Sequence, residues 1–147
     1  MTTVLLVRHA DIELPPHSDD PPLSSAGRER AETLAHVVGA ARVTTVFTSS
    51  RLRTKQTAEP LVARIGVPPR ETPPPAAFAQ QVRSGIFGEM IMVVGHSNTV
   101  PQMMDALGVP PPLPEIGERE FDNLFVVTVL QPGPASMAHL KYGTPSM

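Results

Sequence analysis

Four apolar residues in a row, Val4 to Val7 of TVLLV, form the first hydrophobic block of the chain. A short continuous run of this kind reads as a strand buried on both faces. The next block changes period. In SSAGRERAETLAHVVGAA, Ala31, Leu34, Ala35 and Val38 recur at i, i+3, i+4 and i+7, while Arg28, Glu29, Arg30 and Glu32 fall mostly off that stripe. That spacing predicts a helix, with Ser24 or Ser25 as its cap and Gly39 as its stop. VTTVFTS, residues 43–49, is β-branched and aromatic and predicts a second strand. RTKQTAEPLVARIG returns to helix, with Ala58, Leu61, Val62 and Ile65 on one stripe. Pro60 inside it is expected either in the first turn or at a kink. AAFAQQVRSGI carries a weaker helical pattern, and MIMVVG, residues 90–95, is a third buried strand. NTVPQMMDALG is a helix, with Pro101 near its first turn and Gly108 beyond its end. NLFVVTVL and SMAHLKYG are two later strands, close enough to pair in antiparallel fashion.

Strands alternating with helices predict an α/β fold, a three-layer αβα sandwich with a mostly parallel central sheet. In such sheets ligands bind beyond the carboxyl ends of the strands. That rule selects residues. The first strand ends at Arg8-His9, the second at TSSRLR with Arg51 and Arg53, and the third at Gly95-His96-Ser97-Asn98. Cationic side chains brought to one rim repel one another unless they share an anion, and arginine forks match phosphate oxygens.

Composition narrows the classes. The length of 147 residues suits one domain spanning residues 1–147. There are no cysteines, which excludes disulfides and thiolate metal sites. A net charge of −2, with no long basic run, argues against a nucleic-acid or membrane-surface partner. The longest apolar run is too short to span a bilayer, and the strand pattern begins at the N-terminus with no room for a signal peptide, so a cytoplasmic location is expected. The 18 prolines cluster in PPHSDDPP, PPRETPPP and PPPLP, which read as stiff loops. Nothing in the sequence speaks to oligomeric state.

The motifs add a resemblance. VRHAD resembles the RHG signature of the histidine phosphatase superfamily, the phosphoglycerate mutase-like proteins. LSSAGRERAETLA is similar to its L-[ST]-x-x-G helix start, SSRLRTKQTA to its S-x-L-x-R-[AT]-x-Q-T-A segment, and VVGHSNTV to its second histidine segment. The short chain resembles the minimal members, the small phosphohistidine phosphatases. The resemblance implies a metal-independent phosphatase without cofactor, acting on a small phosphorylated substrate or a phosphohistidine protein. It gives His9 as the phosphorylated nucleophile, Arg8 and Arg53 as phosphate-holding arginines, and His96 as the group that steadies the transferring phosphoryl. A neutral imidazole can attack phosphorus, and cationic donors stabilise the spread charge of the transition state. The alternatives are a phosphoglycerate-mutase-like phosphotransferase, disfavoured by the lack of inserts, and a catalytically weak phospho-ligand binding module.

Two departures stand out. The family's glycine after RH is Ala10, which matters only if that position needs a positive φ. The acid that protonates the leaving group is not evident. Asp11, adjacent to the RHA triplet, ranks ahead of Glu71 and Glu89 on proximity to His9. Ser97 and Asn98 are expected to cap a helix and are candidate phosphate contacts, because helix N-termini attract anions. His17, on the long loop, is a further candidate for substrate contact. Arg51 is expected at the solvated surface, Gln56 and Thr57 as packing supports, and His36 and His139 as structural or surface residues. The seven methionines read as core filler.

Overall fold

The computed structural model describes residues 1–146. Its elements run β1 (Thr2–Arg8), α1 (Ser25–Val38), β2 (Thr45–Thr48), α2 (Leu52–Ile65), β3 (Pro69–Glu71), α3 (Pro75–Ser84), β4 (Met90–Gly95), α4 (Thr99–Leu107), β5 (Asn123–Val129) and β6 (Ala135–Lys141). The six strands form one sheet in the order β3-β2-β4-β1-β5-β6. β1 pairs parallel with β4, and β2 parallel with both β4 and β3. β5 pairs antiparallel with β1, and β6 with β5. The expected α/β architecture and mostly parallel sheet are present. The sequence pattern missed β3, three exposed residues in the proline-rich PPRETPPP segment.

The continuous apolar runs have a direct cause. Val4 and Leu6 of β1, with Ile91 and Val93 of β4, pack against Phe78 and Val82 of α3 and Met103, Met104 and Leu107 of α4. The alternate residues, Leu5, Val7, Met92 and Val94, pack on the other side against Leu34, Ala35 and Val38 of α1 and Ala58 and Leu61 of α2. β1 and β4 therefore bury both of their faces, at about 1.5–3 kcal/mol for each large side chain removed from water. Met92, Met103 and Met104 are core residues. Pro60 lies inside α2 rather than in its first turn.

One close approach sets the start of α1. Ser24 accepts from Gly27 N, and its own N–H donates to Asp11 O at 2.9 Å. A Cβ on Gly27 would stand only 2.1 Å from that same Asp11 oxygen, so only glycine lets the helix reach the segment that leaves β1. Ala10 is wholly buried, and Arg42 is the sole non-glycine residue of positive φ among the described residues. The alanine that stands in place of the family's glycine is therefore unstrained. No helix among them is long and apolar enough to cross a membrane.

Candidate active site

Parallel pairing brings the carboxyl ends of three strands level. Arg8 stands opposite Gly95, and Thr48 opposite Val94. The His9 N–H donates to Gly95 O at 2.8 Å, which fixes the exit of β1 against the exit of β4. His9 and His96 then lie edge to face with ring centroids 5.5 Å apart. Both line a cavity of about 520 Å³ together with Arg8, Arg51, Arg53, Ser97 and Asn98. All the strand-end residues picked out by the sequence come together here.

His9 is almost fully buried, with Nδ1 2.8 Å from the carbonyl oxygen of Ala10. A carbonyl only accepts, so Nδ1 carries the proton and Nε2 carries the lone pair. Burial, followed by the charge of Arg8 and its neighbours, pulls the His9 pKa down to about 3, against a hydrogen bond to Ala10 that works the other way. The ring is therefore neutral at pH 7. Its segment is strapped to α2. Ala10 N–H donates to Thr57 Oγ1 at 2.8 Å, and the Thr57 hydroxyl donates to Arg53 O at 2.7 Å. Gln56 Oε1 accepts from Leu23 N, so these two residues are the supports that the sequence suggests.

Arg8 is buried and held by a loop far away in sequence. Its Nη1 donates toward Gly117 O, Glu118 O and Glu120 O, each 2.9 Å away. The guanidinium lies 4.3 Å over the Phe121 ring. Burial draws its pKa down to about 10. Arg8 Nε and Arg53 Nη1 are buried donors without a hydrogen-bond partner among the described residues. Asp20 Oδ1 is 3.9 Å from Arg53 Nη1, too far to bond it. Burial and then the Arg51 charge lower the Arg53 pKa, opposed by Asp20. Two unpaired buried cationic N–H groups beside two neutral imidazoles form a cradle for an oxyanion.

His96 Nε2 lies 2.8 Å from Ser49 Oγ. Ser49 is held in turn by Thr54 Oγ1 at 2.9 Å and by the Arg51 N–H. Burial and then the charges of Arg53, Arg51 and Arg8 bring the His96 pKa to about 4. Arg51 is exposed yet lines the cavity, so it is not the purely solvated charge the sequence suggested. Asn98 takes the N-cap position of α4 without a side-chain cap bond; Thr99 Oγ1 instead accepts from His96 N at 2.8 Å.

Three expectations need correction. Asp11 lies next to His9 in sequence, but its carboxylate accepts from Arg30 Nε at 2.6 Å and lines a neighbouring cavity. Arg30 further donates to Tyr142 O and Thr144 O, so Asp11 belongs to a buried structural staple. His17 is exposed and absent from the cavity wall, although its neighbours Pro16 and Ser18 contribute to it. Glu89 precedes β4 at the amino edge of the sheet, where its carbonyl accepts from Thr3 N, and six residues of strand separate it from the site. Glu71 ends β3 on the carboxyl edge. The carboxylates that line the His9 cavity are Asp19 and Glu118, neither of them singled out by the sequence. Glu118 has no local motif and arrives only through the long-range bonds of Arg8.

The family model described as the histidine phosphatase superfamily (branch 1) matches residues 4–74. That segment carries Arg8, His9 and Arg53, and over it the chain is similar to the histidine phosphatase superfamily. No curated protein matches it in sequence. Among solved structures, the protein histidine phosphatase SixA, complexed with tungstate, is similar at a TM-score of 0.75 and 20% identity, over 95% of this chain and 97% of that one. A mycobacterial glucosyl-3-phosphoglycerate phosphatase with inorganic phosphate gives 0.73 and 16%, over 99% and 98%. A phosphohistidine phosphatase SixA from Agrobacterium tumefaciens gives 0.67 and 18%, over 98% and 99%. These likenesses extend the fold beyond residue 74, to the second histidine and the antiparallel edge of the sheet.

Proposed function

We propose that this chain is a histidine-type phosphatase that hydrolyses a phosphomonoester or phosphohistidine through a covalent phospho-His9 intermediate. The observation that carries this reading is the fixed tautomer of His9, whose lone pair on Nε2 stands in a cavity with two buried, unpaired arginine N–H groups. In the first step Nε2 forms a bond to phosphorus, and the bond from phosphorus to the leaving group breaks, its electron pair going to that group. In the second, a water oxygen attacks phosphorus, the N–P bond returns its pair to Nε2, and the water proton passes to solvent or phosphate. Arg8, Arg53 and His96 stabilise the equatorial oxygens in both steps. The Ala10 carbonyl holds the His9 proton on Nδ1 throughout, so the ring gains stabilisation as it becomes cationic.

The likeness to small phosphatases that lack large inserts supports hydrolysis over mutase chemistry, which must keep water out. The test is brief reaction with a labelled phosphodonor followed by denaturation. Acid-labile phosphate is expected on the protein, and His9→Ala should abolish both label and turnover. Label that persists in His9→Ala, or that resides on a serine, would remove His9 from the reaction.

A further inference from the structure

Beside the cationic cavity lies a second cleft of opposite character. It has a volume of about 450 Å³ and is walled by Pro73, Pro74, Pro75, Val100 and Met103, with Glu71 on its border. It meets the cationic cavity at His96 and Thr99, which line both. The proline wall is the PPP of PPRETPPP, the motif that β3 and the catalytic groups leave unused. Proline has no N–H, so three in succession present a wall without backbone donors. Pro74 and Pro75 also take the N-cap and first position of α3, where other residues would offer N–H groups to an anion. Among the described residues, no lysine or arginine lines this cleft.

The geometry points to a leaving-group subsite for an uncharged, apolar group the size of an aromatic ring, resting on the phosphatase reading above. The phosphoryl group occupies the cationic cavity, and the bond that breaks spans the His96 boundary between the two. The volume lies within the range of small-molecule sites. A leaving group that bears a carboxylate, as in a phosphoglycerate, meets mostly apolar walls and no lysine or arginine, with Glu71 on the border. The substrate class is therefore a phosphomonoester of a neutral apolar alcohol or phenol, and the two-part site reads an amphipathic molecule end to end.

The test compares phenyl phosphate with 4-carboxyphenyl phosphate on the unsubstituted protein and on Ser50→Trp. Ser50 is exposed on the cleft border, and among the described residues its side chain has no hydrogen-bond partner, so an indole there fills the cleft with little effect on folding. Phosphoramidate, which has no ring, serves as the phosphodonor that reports on His9 alone. The 4-carboxyphenolate is the better leaving group, so intrinsic chemistry favours it. The subsite reverses that order, and kcat/KM should favour phenyl phosphate by roughly tenfold or more, the effect of an unpaired carboxylate against apolar walls. Ser50→Trp should raise KM for phenyl phosphate several-fold and leave labelling by phosphoramidate unchanged. Equal or reversed preference between the two aryl esters, or a Ser50→Trp effect that is nil or the same for both kinds of donor, would overturn the subsite alone. Absence of labelling by phosphoramidate in the unsubstituted protein would overturn the phosphatase reading and the subsite with it.

Discussion

Arg53 and Arg51 stand two residues apart and both face the cavity, yet their surroundings divide their roles. Arg53 is mostly buried and holds an unpaired N–H, whereas Arg51 is exposed. A donor already desolvated and fixed in place interacts with developing charge at full strength, while an exposed one competes with water and is screened. Arg53→Ala is expected to lower kcat/KM about a hundredfold or more, the effect of removing a preorganised donor worth about 3–4 kcal/mol. Arg51→Ala should lose much less, and its loss should shrink further as salt is added. Steady-state rates on one aryl phosphate at two salt concentrations decide it, and a larger or salt-independent loss for Arg51→Ala would exchange the two assignments. At this scale the sequence was informative where the fold rule applied. Arg8, His9, Arg53 and His96 follow strand ends, and strand ends follow from hydrophobic runs. It misled at Asp11, because adjacency along the chain does not set the direction of a side chain. The partner that captures Asp11 is 19 residues away, on a helix whose packing no local pattern reveals.

That Asp11–Arg30 pair belongs to the scale of elements. It ties the exit of β1 to α1, while the other two nitrogens of Arg30 hold Tyr142 O and Thr144 O in the segment after β6. The Arg30 side chain is 5% exposed and that of Asp11 20%, so the charge they share is largely withdrawn from water. Asp11→Asn keeps the shape and one acceptor but removes the charge that balances a buried guanidinium. The expected loss is about 1–3 kcal/mol of stability, read from the urea midpoint. The dependence of rate on leaving-group pKa across aryl phosphates should not change, because the carboxylate is engaged with Arg30 outside the reaction cavity. A dependence that steepens in Asp11→Asn would mean that Asp11 is the general acid after all. The elements themselves were largely legible from periodicity, since β1 and β4 are continuous apolar runs and α1 and α2 carry regular stripes. β3 was not, because three exposed residues that begin with proline have neither alternation nor β propensity. It forms because its neighbour β2 offers a free edge. The loop at 117–120 was illegible for a related reason. Its function is to give backbone carbonyls to Arg8, and carbonyls carry no sequence signal.

Across the whole molecule, the same cluster that prepares the site lowers stability in acid. His9 is held at a pKa of about 3 and His96 at about 4, both below the ordinary value of 6.5 that they regain on unfolding. Between those limits the unfolded chain binds more protons than the folded one, so unfolding free energy rises with pH. The contribution of both groups is fully present above about pH 6.5 and is lost as pH falls through the window toward 4 and then 3. His9 supplies a slope of up to about 1.4 kcal/mol per pH unit, and half-exposed His96 a smaller one. Asp122, lowered by hydrogen bonds from Ser146 and Lys141 against its burial, adds loss in the same direction at the acid end. Urea unfolding at pH 7, 6 and 5 should therefore show a steep decline in stability, and His9→Asn/His96→Asn should flatten it. Inorganic phosphate should flatten it as well. An anion among Arg8, Arg53 and the two imidazoles offsets the repulsion that accompanies desolvation, and a ligand that binds only the folded state stabilises by RT ln(1 + [L]/Kd). An acid decline that survives the double substitution unchanged would place the titrating groups elsewhere. Flattening by the substitutions but not by phosphate would show that the cluster destabilises the fold without serving as its anion site, and that outcome would count against the phosphatase reading itself.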